Sequence, residues 1–493
     1  MRLPKSCNGD VLLFSDKLPE KADVVIIGCG VVGCAIAREL SRYKLDVVAI
    51  DKEPDVGWGA SKGNMGVVHP FVPHKGKYKN RMCIEGNKLF EELAKELDFP
   101  FQRPGLLIVA LSFVQFLALV IAYIYLRVIK KVKAKWVWRG KLRELEPRIN
   151  KKARAAILVP TAGITDPVKY AIALAENAAA NGVKFVLNTH VIGFEIENGR
   201  IKAVITDKGK IRTRFVINAA GVYSDEIERL AGIKKRRMWH GKGVMIVFDP
   251  ILRGYYSHIM APMPLKVDPR TKGGAISISP DGTPMWGPNL VEAEGKEDTA
   301  VDSSDLKMIV EKFRALVPDF PVNTIMKYYA GVRPVDEDSW DFVLGPTEVK
   351  GFINAAYILS PGLTASYVIA KKVVDFLREE GLELVEKENF VATRRDIKSL
   401  SRMSMDEIDE AIKENASYGR IICLCNNVSE AEIREAIRRG ARTVDSIKFR
   451  TGAGKGRCQG CRCLPEIVRI LSEELGVSVE KITIRGEGSE IFR

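Results

Sequence analysis

Two groups of residues in this chain have the types and spacing for redox chemistry. Five of its nine cysteines crowd near the C-terminus, as Cys423-Leu-Cys425 and Cys458-Gln-Gly-Cys461-Arg-Cys463. Thiolates grouped in this way bind soft metals or carry electrons. Structural zinc is the competing occupant, but its cysteine pairs are commonly separated by about two to four residues, and a single residue separates Cys423 from Cys425. At the other end of the chain stands Gly28-Cys-Gly30-Val-Val-Gly33, followed by an acid at Asp51. Gly28 permits a tight turn, Gly30 lets the backbone approach a pyrophosphate, and Gly33 lets helix and strand pack closely. Asp51 is placed to bind a ribose hydroxyl.

The elements that must hold these residues are legible around them. The apolar run 23–27 reads as a buried parallel strand, 34–43 as a helix and 45–50 as a second strand ending at Asp51. The helix N-terminus would receive phosphate charge. Near the cysteines, Ser429-Glu-Ala-Glu432 is a capping box opening a helix that stops at Gly440, and Leu464-Pro465 begins another. Both helix N-termini then point positive ends toward the thiolates. Arg420, Arg450, Lys455, Arg457 and Arg462 add positive charge. The Gly452–Gly456 run lacks the spacing of a phosphate loop and reads as a loop of the metal site.

At 493 residues the chain suits about two or three domains. The net charge of +14 suits anionic ligands, acidic partners or a membrane surface. No nucleic-acid motif accompanies it. Three glutamines among many Lys, Arg and Glu resemble a hyperthermophile's composition. The apolar run Val11–Phe14 is too short for a signal peptide, and the other cysteines (Cys7, Cys29, Cys34, Cys83) form no disulfide framework. A reducing, cytoplasmic location is expected.

Four segments, in order, resemble the D-amino-acid-oxidase-like FAD oxidoreductases. They are Gly57–Pro70, Asn218–Asp225, Ala330-Gly-Val-Arg333-Pro334 and Ser360–Ser366. The resemblance covers roughly 20–390. It implies a Rossmann-like FAD domain interleaved with a mixed-sheet substrate domain. It also implies that Gly28, Gly30, Gly33, Asp51, Lys52, Ser61, Asn64, Gly66, Val191, Ala220, Gly221, Arg333, Gly362, Leu363 and Thr364 serve the FAD. The segments 418–429 and 450–460 resemble a bacterioferritin-associated-ferredoxin-like [2Fe-2S] domain. An FAD domain followed by this module is similar to the anaerobic glycerol-3-phosphate dehydrogenase catalytic subunits, as are Asp268, Thr271-Lys272-Gly273 and Asp281-Gly-Thr. The resemblance implies Cys423, Cys425 and Cys458 as cluster ligands, with Cys461 or Cys463 as the fourth. Cys461 matches the small ferredoxins' spacing and Cys463 the dehydrogenases', and Cys463 is preferred.

The expected organisation is 20–384 for the FAD-dependent oxidoreductase, 385–418 for a linker region and 419–493 for a small helical [2Fe-2S] domain. Three residues depart from the family. Tyr357 replaces a usual Gly, Tyr367 replaces a frequent Pro, and Gly63 stands where bacterial glycerol-3-phosphate enzymes tend to have Arg. From Pro104 to Leu126 there is no charge, and then come Arg127, Lys130, Lys131, Lys133 and Lys135. Length alone makes this a membrane-span candidate, but a span would put Asp51 and Gly221 on opposite sides of a membrane. The pattern instead predicts a strand over 106–111, Ser112 as N-cap and a helix from about 113 to 133. That helix is apolar on every face. A partner redox subunit, a membrane surface touched peripherally, or the protein's own interior must cover it.

The expected activity is oxidation of glycerol-3-phosphate to dihydroxyacetone phosphate, with electrons leaving through the cluster to a partner subunit or quinone. Arg333 is the main candidate for holding a small anionic substrate, with Lys272 behind it, and His69 and His258 are candidate bases. The alternatives are an amino or 2-hydroxy acid substrate, such as proline or 2-hydroxyglutarate, held by its carboxylate, and a non-catalytic electron-transfer subunit. The last is motivated by Tyr357, Tyr367 and the apolar helix.

Overall fold

The computed structural model describes residues 15, 17–73, 76–266 and 273–492. The Val11–Phe14 run, Cys7, Asp268, Thr271 and Lys272 lie outside them. The chain alternates between two sheets. The first has six strands in the order 343–346, 352–356, 215–218, 24–27, 47–50 and 184–186. Five of these are parallel, and the 343–346 edge strand runs antiparallel. The central strands are buried along their whole length, which explains their nearly continuous apolar composition. Register pairs Ile27 with both Ile50 and Asn218. The carboxyl ends of three strands therefore meet at Gly28, Asp51 and Ala219, where ligands of open parallel sheets bind.

The second, mixed sheet has nine strands. Its longest pair, Met238–Phe248 against Ile325–Asp336, carries Arg333 opposite Gly241. Its core gathers Phe248, Trp286, Phe313 and Phe320. Chain segments enter this sheet at 106–110, 135–138 and 155–159 and return to the first at 184–186. The expected interleaving of an FAD-type α/β domain with a mixed-sheet domain is what is seen.

The C-terminal unit is a two-stranded ribbon, 421–423 with 428–429, and helices at 430–438, 444–451 and 464–475. Ser429 accepts from Glu432 N at 3.3 Å while the Glu432 carboxylate accepts from Ser429 N at 2.8 Å, so the capping box forms as read. Residues 385–418, expected as a linker, are strapped to the first domain. Asn177 Nδ2 donates to Val391 O at 2.9 Å, and Arg394 Nε donates to Glu176 at 2.5 Å. The strap also carries its own helix, Met405–Glu414.

The apolar segment forms a strand at Leu106–Ala110 and a helix at Phe113–Ile124, which continues as one wider turn over Tyr125–Ile129. Ser112 caps it as expected, and it ends four residues short of Lys133. No helix among the described residues is long and apolar enough to cross a membrane.

Candidate functional site: a flavin-type cavity beside a cysteine loop

The turn after the first strand is dictated by its glycines. Gly28 sits at φ +102°, and a Cβ there would lie 2.4 Å from Ala219 O. A Cβ on Gly33 would lie 1.8 Å from Gly28 O, so helix and strand touch backbone to backbone. Gly30 is different. A Cβ there would meet only Ser61 Oγ at 3.5 Å, which leaves its backbone facing an open cradle suited to a pyrophosphate. Ser61 Oγ accepts from Val31 N at 3.0 Å and so fastens the second loop to the first helical turn. Asp51 accepts from Cys29 N at 2.5 Å and Glu53 N at 3.0 Å. Burial nevertheless pushes its carboxyl up to about 6.

Gly28, Gly30, Asp51 and Ser61 line one cavity of about 1450 Å³. That exceeds the roughly 300–1,000 Å³ of an ordinary small-molecule site and suits a dinucleotide together with a substrate. The cavity collects Gly28, Gly30, Asp51, Lys52, Ser61, Asn64, His69, Val191, Ala220, Gly221, Arg333, Gly362 and Leu363. Gly33, Gly66 and Thr364 stand just behind its wall. Gly66 N donates to Asn64 Oδ1 at 2.8 Å, and Thr364 Oγ1 accepts from His69 N at 2.9 Å. Burial works against the Lys52 charge, but hydrogen bonds to Tyr223 at 3.0 Å and Glu297 at 2.9 Å outweigh it and raise its pKa.

Arg333 reaches the cavity from the second sheet. Its Nη1 is buried with no hydrogen-bond partner, and desolvation pulls the guanidinium down to about 10. A charged nitrogen buried without a partner is costly unless an anion joins it. His69 also faces the cavity, with Nε2 3.4 Å from Ser360 Oγ. His258 does not line it. Its Nδ1 lies 2.7 Å from Glu146 Oε1, which also accepts the His258 N–H. Lys272 lies outside the described residues.

One lining residue was missed in the sequence. Lys79 opens the 79–97 helix, lines the cavity and donates to Trp340 O at 3.3 Å. Burial lowers its ammonium to about 8, against the pull of Asp341. Its only linear signal is a lysine at a helix start, which does not distinguish it from a solvated one.

The departures from the family are explained by packing. Tyr357 has φ +54°, the left-handed conformation that favours glycine, and its hydroxyl donates to Glu228 at 2.8 Å. The Tyr367 hydroxyl accepts from Arg38 at 3.0 Å. Neither lines the cavity. Gly63 crosses Gly331, and a Cβ at 63 would lie 2.7 Å from Gly331 Cα, so an arginine does not fit.

The cysteine loop lies against this domain. Arg450 and Asp55 form a fully buried two-pronged ion pair, with one contact at 2.9 Å. Trp58 meets Phe449 edge-on at 5.5 Å, and Lys455 pairs with Asp166 at 3.1 Å. Arg420 and Arg457 are likewise ion-paired, to Glu430 and Asp249. Of the five cations expected to surround the thiols, four are therefore already partnered. The thiols face each other in two pairs. A hydrogen bond with Cys463 lowers the Cys423 thiol and raises that of Cys463. The Arg462 N–H, together with contact to Cys425, lowers that of Cys458. Cys461 is exposed and takes no part in either pair. Among the described residues no three or more of these side chains are gathered as a metal shell; the two pairs together number four thiols, the donor number a [2Fe-2S] cluster takes.

Comparison with known proteins agrees. Residues 23–376 match the FAD dependent oxidoreductase family. The chain belongs to that family. Residues 421–473 match the BFD-like [2Fe-2S] binding domain. This FAD dependent oxidoreductase is 36% identical to a glycerol 3-phosphate dehydrogenase of Caloramator mitchellensis, over 95% of this chain and 98% of that one. It is 24% identical to anaerobic glycerol-3-phosphate dehydrogenase subunit A1 of Haloferax volcanii, over 97% and 86%. The FAD-bound L-alpha-glycerophosphate oxidase of Mycoplasma pneumoniae superposes with a TM-score of 0.71 at 27% identity, covering 76% of this chain and 99% of that one. The oxidoreductase is thus an enzyme of the glycerol-3-phosphate dehydrogenase type whose cofactors are FAD and a [2Fe-2S] cluster.

Proposed function

We propose that the enzyme oxidises glycerol-3-phosphate to dihydroxyacetone phosphate and sends the electrons out through the cluster to a partner redox subunit or quinone. The observation that carries this reading is Arg333, a half-buried arginine whose buried Nη1 has no partner, in the wall of the flavin-type cavity. The names of the Caloramator and Haloferax relatives support the same substrate.

Arg333 would hold the phosphate through charge-assisted hydrogen bonds, and Lys79 would add a second cation. The C2 hydroxyl would give up its proton and C2 a hydride, which carries away both electrons and leaves a carbonyl. FAD held in the cavity would supply the hydride acceptor, and a cluster held by the cysteines would supply a one-electron exit. His69 would take the hydroxyl proton, with Ser360 Oγ and the Thr364 contact fixing the imidazole and its backbone. Gly28, Gly30 and Ser61 would hold the pyrophosphate, and Asp51 the ribose. Cys423, Cys425, Cys458 and Cys463 would hold the iron, with Cys461 outside the set. Domain limits of 20–384 and 419–493 follow from the same reading, and a cytoplasmic location suits the reduced thiols.

A panel of glycerol-3-phosphate, proline and 2-hydroxyglutarate, assayed with an artificial dye acceptor, tests the substrate. We expect turnover with the phosphate ester. Turnover with a carboxylate substrate instead would assign Arg333 to a carboxylate and end this proposal.

A further inference from the structure

The helix Phe113–Ile124 and its continuation to Ile129 are apolar on two opposite faces, and only one face is covered. Leu119 and Leu126 are buried, and Phe116, Ala122 and Tyr123 pack beside them near Trp136. The opposite face presents Phe113, Leu117, Val120, Ile121, Ile124 and Val128 at helical spacing, with Ile121 70% and Val128 67% exposed. Exposed apolar surface of this extent marks an interaction site. The helix is also firmly seated. Gln115 N donates to Ser112 Oγ at 3.1 Å, and Gln115 Nε2 donates to Met263 O at 3.0 Å. The outward face is therefore held in place rather than frayed.

The charge around it identifies the occupant. Residues 99–143 contain no Asp or Glu. Arg127, Lys131, Lys133 and Lys135 follow the apolar face and are exposed, and the exposed indole of Trp138 stands beside them. Protein interfaces are depleted in lysine and carry roughly one hydrogen bond per 100–200 Å², whereas the outward side chains named here, Phe113 to Val128, carry no donor or acceptor. A long apolar stripe with lysines and tryptophan at its margin is instead the composition of a helix lying in a lipid interface, its cations at the headgroups.

We propose that this helix docks the enzyme in the plane of an anionic lipid surface. Ala122, Tyr125 and Leu126 also line the large cavity, so docking would bring one wall of that cavity to the membrane. The inference is independent of which substrate the cavity takes.

The test is flotation of the full-length holoenzyme with two kinds of vesicle, phosphatidylcholine alone and phosphatidylcholine with phosphatidylglycerol in equal parts. We expect binding at least about ten-fold tighter to the anionic vesicles, weakening as salt is raised. The double variant Ile121→Glu/Val128→Glu should lose binding to both while keeping wild-type activity with a soluble dye. Each of Lys131→Gln and Lys133→Gln should weaken anionic binding about five-fold. Failure of the wild type to float, or flotation of the double variant like wild type, would overturn the proposal. So would a stoichiometric complex with an acidic protein, or with a second copy of the chain, that buries this helix and blocks flotation.

Discussion

The flavin-type cavity and the cysteine loop are neighbours built on opposite plans. The cavity is deep and lined by the first domain and the mixed sheet. Its glycines leave no space for a Cβ at Gly28 and Gly33, Lys79 and the Nη1 of Arg333 are buried, and the charge of both side chains is weakened by desolvation. The cysteine loop is half outside. Cys423 and Cys463 are buried while Cys425 and Cys461 are exposed. One site offers desolvated cations to an anion, and the other leaves exposed thiols at an edge from which an electron can depart. What makes them one machine is the joint between them, where Arg450 and Asp55 are sealed from solvent.

The largest effect is expected at that joint. Arg450→Ala leaves Asp55 buried and uncompensated, which should destabilise the holoprotein by about 3–5 kcal/mol in urea unfolding. A loss under about 1 kcal/mol would mean that the two regions are not rigidly coupled. Next, Cys463→Ser should abolish the cluster's visible absorption and its electron-paramagnetic signal while flavin content stays constant, whereas Cys461→Ser should keep both. The reverse pattern would place the fourth ligand on the exposed side. Within the cavity, Arg333→Met should lower kcat/KM for glycerol-3-phosphate by about 2–4 kcal/mol, roughly thirty- to a thousand-fold. Equal activity with the methionine would remove Arg333 from substrate binding. The smallest effect concerns pH. Lys79 loses its proton as pH rises through about 8, and with it the positive charge. kcat/KM should therefore fall on the alkaline side of that value and be full below it. Lys79→Met should lower the plateau and flatten this limb, and an unchanged alkaline limb would assign it to another group.

The nucleotide turn was legible because its information is local. Gly28, Gly30, Gly33 and Asp51 belong to one strand–turn–helix–strand unit, and each has a steric or charge reason visible within it. The capping boxes at Ser112 and Ser429 were legible for the same reason. What the sequence hid depends on distant partners. Lys79 becomes a site residue only because the chain folds it toward Trp340 and Asp341, and Arg450 was read as charge for the cluster although Asp55, nearly 400 positions away, neutralises it. Gly63 looked like a missing arginine until Gly331 was seen against it. His258 had the right residue type, but Glu146 engages its ring away from the cavity. The sharp end of the apolar helix was missed because the wider turn at Tyr125–Ile129 leaves no mark in hydropathy.

The central claim is that electrons from a phosphorylated alcohol pass from the cavity to the cysteine loop. Anaerobic titration of the holoenzyme with glycerol-3-phosphate tests it directly, followed by flavin absorbance and by electron paramagnetic resonance of the cluster. The account predicts bleaching of the flavin together with appearance of a reduced-cluster signal, and bleaching without that signal in Cys463→Ser. A flavin that stays oxidised in excess substrate, or a wild-type cluster that stays silent while the flavin bleaches, would contradict it.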